Sequence, residues 1–115
     1  MIIEFFMDSE GNVPVKDFLD SLSPKIKSKT LRSIALLHSN GHSLGMPHSK
    51  YLGDGIFELR TQFGGDINRV LYFFYVDDRA VLTNGFIKKT QTTPFKEIAL
   101  AIKRRNDYLG RHKHG

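Results

Sequence analysis

The sequence contains no cysteine. That excludes a disulfide framework and a thiolate zinc site, and it suits a reducing compartment. No run of apolar residues approaches the length that spans a bilayer. The opening run, Met1-Ile2-Ile3-Glu4-Phe5-Phe6, has no basic residue ahead of it, is short, and is interrupted by a carboxylate. It therefore does not read as a signal peptide. The chain is expected in the cytoplasm, away from membranes. No repeat and no low-complexity tract appears. A phosphate loop is missing too, because Gly53-Asp54-Gly55 lacks the Gly-Lys-Ser/Thr ending. Nothing matches a nucleophile elbow. Negative charge is also scarce: 12 Asp and Glu stand against 17 Lys and Arg, a net charge of +5. Such an excess on a small surface attracts polyanions. What remains, 115 residues of which 40% are hydrophobic and 25% charged, is one folded domain's worth of chain.

Turn residues divide this chain into seven elements. Ile2–Met7 is β-branched and aromatic and reads as a strand. After the turn cluster Asp8–Asn12, Val13–Leu22 reads as a helix, with Pro14 in its first turn. Ser23 and Pro24 form an N-cap and first position for a second helix, to about Ser39, with Ile26, Ile34 and Leu37 as its buried stripe. His42–Gly55 is polar and glycine-rich, and is expected to be an exposed loop. Ile56–Phe63 alternates, so Phe57, Leu59, Thr61 and Phe63 face one way and Glu58, Arg60 and Gln62 the other. Beyond Gly64-Gly65-Asp66, Ile67–Val76 holds a continuous apolar run, the mark of a central strand. Ala80–Ile87 completes a meander. Thr93-Pro94 caps a last helix to about Leu109, with Phe95, Ile98, Ala99, Ile102 and Leu109 inward and Arg104 outward. Lys103 and Asp107 are spaced to pair along it. Gly110–Gly115 reads as a mobile tail. The order β-α-α-β-β-β-α predicts an α+β fold: one twisted antiparallel sheet with helices packed on one face and the other face free for a ligand.

The alternation singles out a candidate site. Glu58 and Arg60 must project from the face opposite Phe57 and Leu59. Arg69 begins the next strand, and the hairpin brings it opposite or diagonal to Arg60. Two adjacent guanidinium groups repel, so the arrangement calls for a carboxylate or an anionic ligand. Glu58 or a phosphate would serve. A solvated cross-strand charge pattern explains Glu58 and Arg60 taken singly. It explains Arg69 less well, since an unpaired charge on a central strand is costly. Lys88 and Lys89 end the third meander strand and lie along a rim of the same surface. His42, His48 and Lys50, in the loop, are candidate RNA contacts together with Lys89. No set of histidines converges for a metal, and no cofactor is expected.

These residues carry a resemblance. Lys50-Tyr51-Leu52-Gly53-Asp54-Gly55-Ile56-Phe57-Glu58-Leu59-Arg60 resembles the strand that opens the catalytic sheet of HigB-type toxins in the RelE superfamily. Arg69-Val70-Leu71-Tyr72-Phe73 is similar to that family's arginine-led central strand. Gly85–Pro94, with Glu97, Ile98 and Ala101, resembles its strand-to-helix junction. The likeness follows element order over most of the chain and is most specific from Lys50 to Leu109. It implies a RelE-like fold and a toxin that cleaves mRNA in the ribosomal A site. The implied partner is an antitoxin, often with a helix-turn-helix domain. The family's catalytic positions map onto Arg60 and Arg69, and its basic position after the last strand onto Lys88 or Lys89. Some relatives use a C-terminal tyrosine or histidine for acid–base work, a role not carried over to Tyr108, His112 or His114.

The implied chemistry is metal-independent attack by the RNA 2′-OH. Arg60 and Arg69 would hold the phosphate oxygens, Lys88 would meet the leaving oxygen, and Glu58 is a candidate base whose plainer role is to orient an arginine. Arg69→Ala is expected to abolish cleavage and leave the fold intact. Two other functions compete: a non-catalytic RNA-binding module, and a protein-interaction domain that meets an acidic partner through its basic surface.

Overall fold

The computed structural model describes residues 1–88 and 92–112. Its elements are β1 (Ile2–Phe5), α1 (Pro14–Asp20), α2 (Pro24–Asn40), β2 (Ser49–Gly53), β3 (Ile56–Phe63), β4 (Asp66–Tyr75), β5 (Arg79–Lys88) and α3 (Phe95–His112), with a 3-10 turn at Gly41–Ser43. The α+β class and the order of elements are as expected, with one addition. β2 lies inside the stretch read as a loop. Ser49-Lys50-Tyr51 has no apolar run to announce a strand. It becomes one by pairing with β3, Ser49 opposite Leu59 and Lys50 opposite Glu58. Gly53, Asp54 and Gly55 all take positive φ, which makes the tight bend between these strands and suits glycine at both ends.

The sheet runs β1-β5-β4-β3-β2. Its pairs are antiparallel except β1, which lies parallel to β5. β4 is central, and its residues 67–73 are buried. Alternation then assigns the two faces. Leu59, Val70, Tyr72, Ala80 and Leu82 pack with Val15 and Leu19 of α1 and Ile34 and Leu37 of α2. The expected packing of helices on one face thus holds for the α1–α2 pair. α1 sits close: a β-carbon at Gly85 would run into the Phe18 ring. Residues of the other parity, Ile56, Leu71, Phe73 and Val81, pack with Phe6 and with Ala101 and Tyr108 of α3. That second face, expected to be free, is therefore partly covered.

α3 departs most from its expected pattern. Phe95 is 82% exposed, Ala99 and Leu109 are exposed too, and Ala101 and Tyr108 are the buried positions. Tyr108 wins the inward place because it satisfies both ends of its side chain. Its ring meets Phe73 and Tyr75 edge-on at 5.5 and 5.1 Å, and its hydroxyl donates to Glu4 at 3.0 Å. Arg104, expected in solvent, is half-buried and donates to the Thr83 carbonyl at 2.9 Å. Asp107 pairs with Arg111 at 3.1 Å instead of Lys103. Gly110, Arg111 and His112 continue the helix instead of starting a mobile tail, and the rest of that expected tail lies outside the described residues. On α2, Thr30 and Ser33 share the buried side with Ile34 and Leu37, while Ile26 is only half-buried. The two hydroxyls face sheet partners, Asn68 at 3.0 Å and Thr61 at 2.7 Å, so the α2 interface is half polar.

Candidate functional site

The β3–β4 hairpin sets the site. Its register places Arg60 directly opposite Arg69 and Glu58 opposite Leu71. Paired residues share a face, so all four side chains stand on the α3 side of the sheet. Glu58 serves both arginines: Oε1 lies 3.2 Å from Arg60 Nε, and Oε2 lies 3.7 Å from Arg69 Nη1. The Glu58 and Arg69 side chains are fully buried, and that of Arg60 is 13% exposed. The sequence placed these groups on an open surface. They are covered instead, and the Thr93 hydroxyl, just ahead of α3, donates to Glu58 Oε2. The cap expected of Thr93 is thus not where its hydroxyl goes. Ser23 likewise stands at the N-cap of α2 without a side-chain capping bond.

Burial pulls the Arg69 guanidinium below the usual arginine value. The Glu58 charge opposes that pull, and the neighbouring Arg60 adds to it. The site therefore concentrates positive charge where water is scarce. A carboxylate's two oxygens match one guanidinium fork, whereas a phosphate group has oxygens enough to meet two.

Lys50 lies opposite Glu58 on β2, so it shares the face, and it is exposed. Lys88 is exposed at the end of β5, opposite Ile67 and two positions beyond Phe86, which itself pairs with Arg69. Both therefore flank the buried pair on its own face. Lys89 lies outside the described residues. His48 accepts the Arg60 N–H at its carbonyl, 2.8 Å away, and its side chain lines a hollow beside α2. His42 belongs elsewhere. Its ring packs on Phe74 at 4.0 Å, near the far end of β4 and on the α1–α2 side, with Nε2 3.0 Å from the Asp77 carbonyl oxygen. Sequence reasoning did not find Thr93, which looked like a helix cap. It also passed over Asn84, whose amide donates to Glu97 Oε1 at 3.1 Å and ties the first turn of α3 to β5. Among the described residues, no three His, Asp or Glu side chains cluster as metal ligands, and no helix is long and apolar enough to cross a membrane.

Together these features define a small basic α+β protein with a carboxylate and two arginines beneath the start of its last helix. Residues 17–106 match the family described as phage-derived protein Gp49-like, and the chain belongs to that family. A comparison with curated proteins gave no match.

Proposed function

We propose that the protein is the toxin of a toxin–antitoxin pair, of the HigB type within the RelE superfamily, and that it cuts mRNA on the ribosome. Its membership of the Gp49-like family, a toxin-like family, supports the coarser part of this reading. The observation that carries the finer part is Arg60 opposite Arg69 with a single carboxylate between them. A phosphodiester would supply the second negative charge. The RNA 2′-oxygen then attacks phosphorus, an O2′–P bond forms and the P–O5′ bond breaks. Arg60 and Arg69 hold the non-bridging oxygens more tightly as charge builds on them. Glu58 accepts the 2′-OH proton and Lys88 gives one to the leaving 5′-oxygen. The products are a 2′,3′-cyclic phosphate and a 5′-OH. DNA has no 2′-OH and is inert. For a phosphate to enter, Thr93 must release Glu58. The protein would act in the cytoplasm, with an antitoxin as partner.

The burial of Glu58 and Arg69 favours a second reading. In it the cluster is a structural ion group under α3, and the basic surface binds RNA or an acidic partner without cutting anything. Burial also changes the choice of variant. Arg69→Ala would leave a hole where a large, fully buried side chain stood, so an intact fold is no longer expected of it. Arg69→Lys keeps the charge and loses the fork. The test is to induce wild type and Arg69→Lys in growing bacteria and map RNA 5′ ends. Cuts within translated codons that vanish in a folded Arg69→Lys support the nuclease. A wild type that binds RNA and makes no cuts supports the structural reading.

A further inference from the structure

A second concentration of positive charge lies on the other side of the β3 edge. β2 begins at Ser49, opposite Leu59, and the His48 carbonyl just before it takes the Arg60 N–H. Backbone groups alternate along a strand, so the N–H of Gln62 points the same outward way. Between this edge and α2 is a cavity of about 350 Å³ whose lining includes Lys29, Arg32, His48, Arg60 and Gln62. Among the described residues, no carboxylate lines it. Lys25 and Lys29 stand over the Phe63 ring at 5.8 and 5.2 Å and extend the same positive strip. Elsewhere on this helix pair the lysines have an acidic partner: Lys16 and Lys27 share Asp20 at 2.9 and 3.0 Å. Among the described residues, no carboxylate pairs with Lys25, Lys29 or Arg32.

We propose that this hollow is a phosphate subsite for single-stranded RNA, with Lys29 and Arg32 of α2 as its main cations and the Gln62 edge as a polar wall. The ligand class rests on the RNA reading above, though not on cleavage. Arg60 decides for RNA over an acidic protein segment. It borders the hollow and also belongs to the buried Glu58 cluster, so one backbone with evenly spaced phosphates can occupy both. The lining also includes apolar Leu36, Pro47 and Ile67, but its charged groups, Lys29, Arg32 and Arg60, are all positive and favour a strand that brings phosphates. Phosphate contacts of this kind position a strand without reading its sequence.

The probe is a 2′-O-methyl RNA oligonucleotide, which cannot be cut, followed by fluorescence anisotropy across a salt series. The double variant Lys29→Ala/Arg32→Ala should bind at least tenfold more weakly, with a log–log salt slope shallower by about 1.4, the value for two lost contacts to a single strand. Lys16→Ala/Lys27→Ala removes as much charge and should change affinity less than threefold. Equal affinity for wild type and the α2 double variant overturns the subsite. So does an equal loss in both double variants, or a loss seen only with a polyglutamate probe, which would mark a site for acidic protein. If the α2 variant loses RNA while wild type never cleaves, the nuclease reading falls and the subsite stands. If wild type cleaves translated mRNA while the α2 variant binds normally, the subsite alone falls.

Discussion

α3 is pinned to the sheet at both ends by a carboxylate and an arginine, and the two ends are built differently. At its far end, Glu4 meets one arginine, Arg79, at 2.7 Å and one phenol, Tyr108, at 3.0 Å. The charges match, the bonds are short, and the groups are about a third exposed, Arg79 at 33% and Glu4 at 31%. Glu4 raises the Arg79 guanidinium above its ordinary value. At its near end, Glu58 is shared by two arginines at 3.2 and 3.7 Å, deep in the protein, and Arg69 is shifted the opposite way by burial. A matched pair at the rim is a fastening. Two arginines around one carboxylate leave, among the described residues, a net positive charge in a dry place, and that is what makes this end a candidate site. The comparison separates a structural contact from a candidate site using the same residue types.

The strongest way to break this comparison is to empty the near end. Arg69→Ala should cost about 3–5 kcal/mol, because it empties the place of a large, fully buried side chain. Chemical denaturation would measure the loss, and a cost under 1 kcal/mol would mean that the cluster is not tightly held. Glu58→Gln should also destabilise, by about 3 kcal/mol. Added inorganic phosphate should raise the melting temperature of that variant more than that of wild type. A phosphate effect equal in both proteins would remove the argument for an anion site. At the far end, Tyr108→Phe should cost about 1 kcal/mol, one hydrogen bond, and leave RNA cleavage unchanged.

The far end also gives a pH signature. Burial, helped by Glu4, raises the Tyr108 phenol above its ordinary value of 10.0. A raised value means that the folded state holds its proton longer. This contribution is therefore complete below pH 10.0 and is lost as pH climbs through the folded value. Tyr108→Phe should flatten that alkaline decline. The smallest effect belongs to Asp8, lowered chiefly by the Asn12 N–H. Its contribution is present above its ordinary 3.8 and fades as pH falls below it, so Asp8→Asn should show less acid sensitivity in an unfolding titration.

Much of this was legible in the sequence for reasons of period. The alternation of Ile56–Phe63 put Glu58 and Arg60 on one face, and the Gly64-Gly65 turn brought Arg69 opposite or diagonal to Arg60; the structure makes it opposite. The apolar run from Val70 to Phe73 announced the central strand, with both its faces buried. What stayed hidden depends on contacts between distant segments. Ser49-Lys50-Tyr51 is a strand only because β3 offers it an edge. Tyr108 displaces Leu109 because Glu4, far away in sequence, takes its hydroxyl. The full burial of Arg69 is likewise something its own strand does not encode. Lys29 and Arg32 gain their setting only when the β3 edge is placed beside them.

The parallel seam between β1 and β5 has a consequence for how the chain reaches this state. Ile2 docks beside Arg79, and Phe5 beside Leu82. The meander from β2 to β5 can close through short turns. The first strand has no seat in the sheet until nearly all of that meander has been made, so its docking carries a long loop-closure cost. During synthesis the amino-terminal strand must wait, unpaired, for the ribosome to deliver its neighbour.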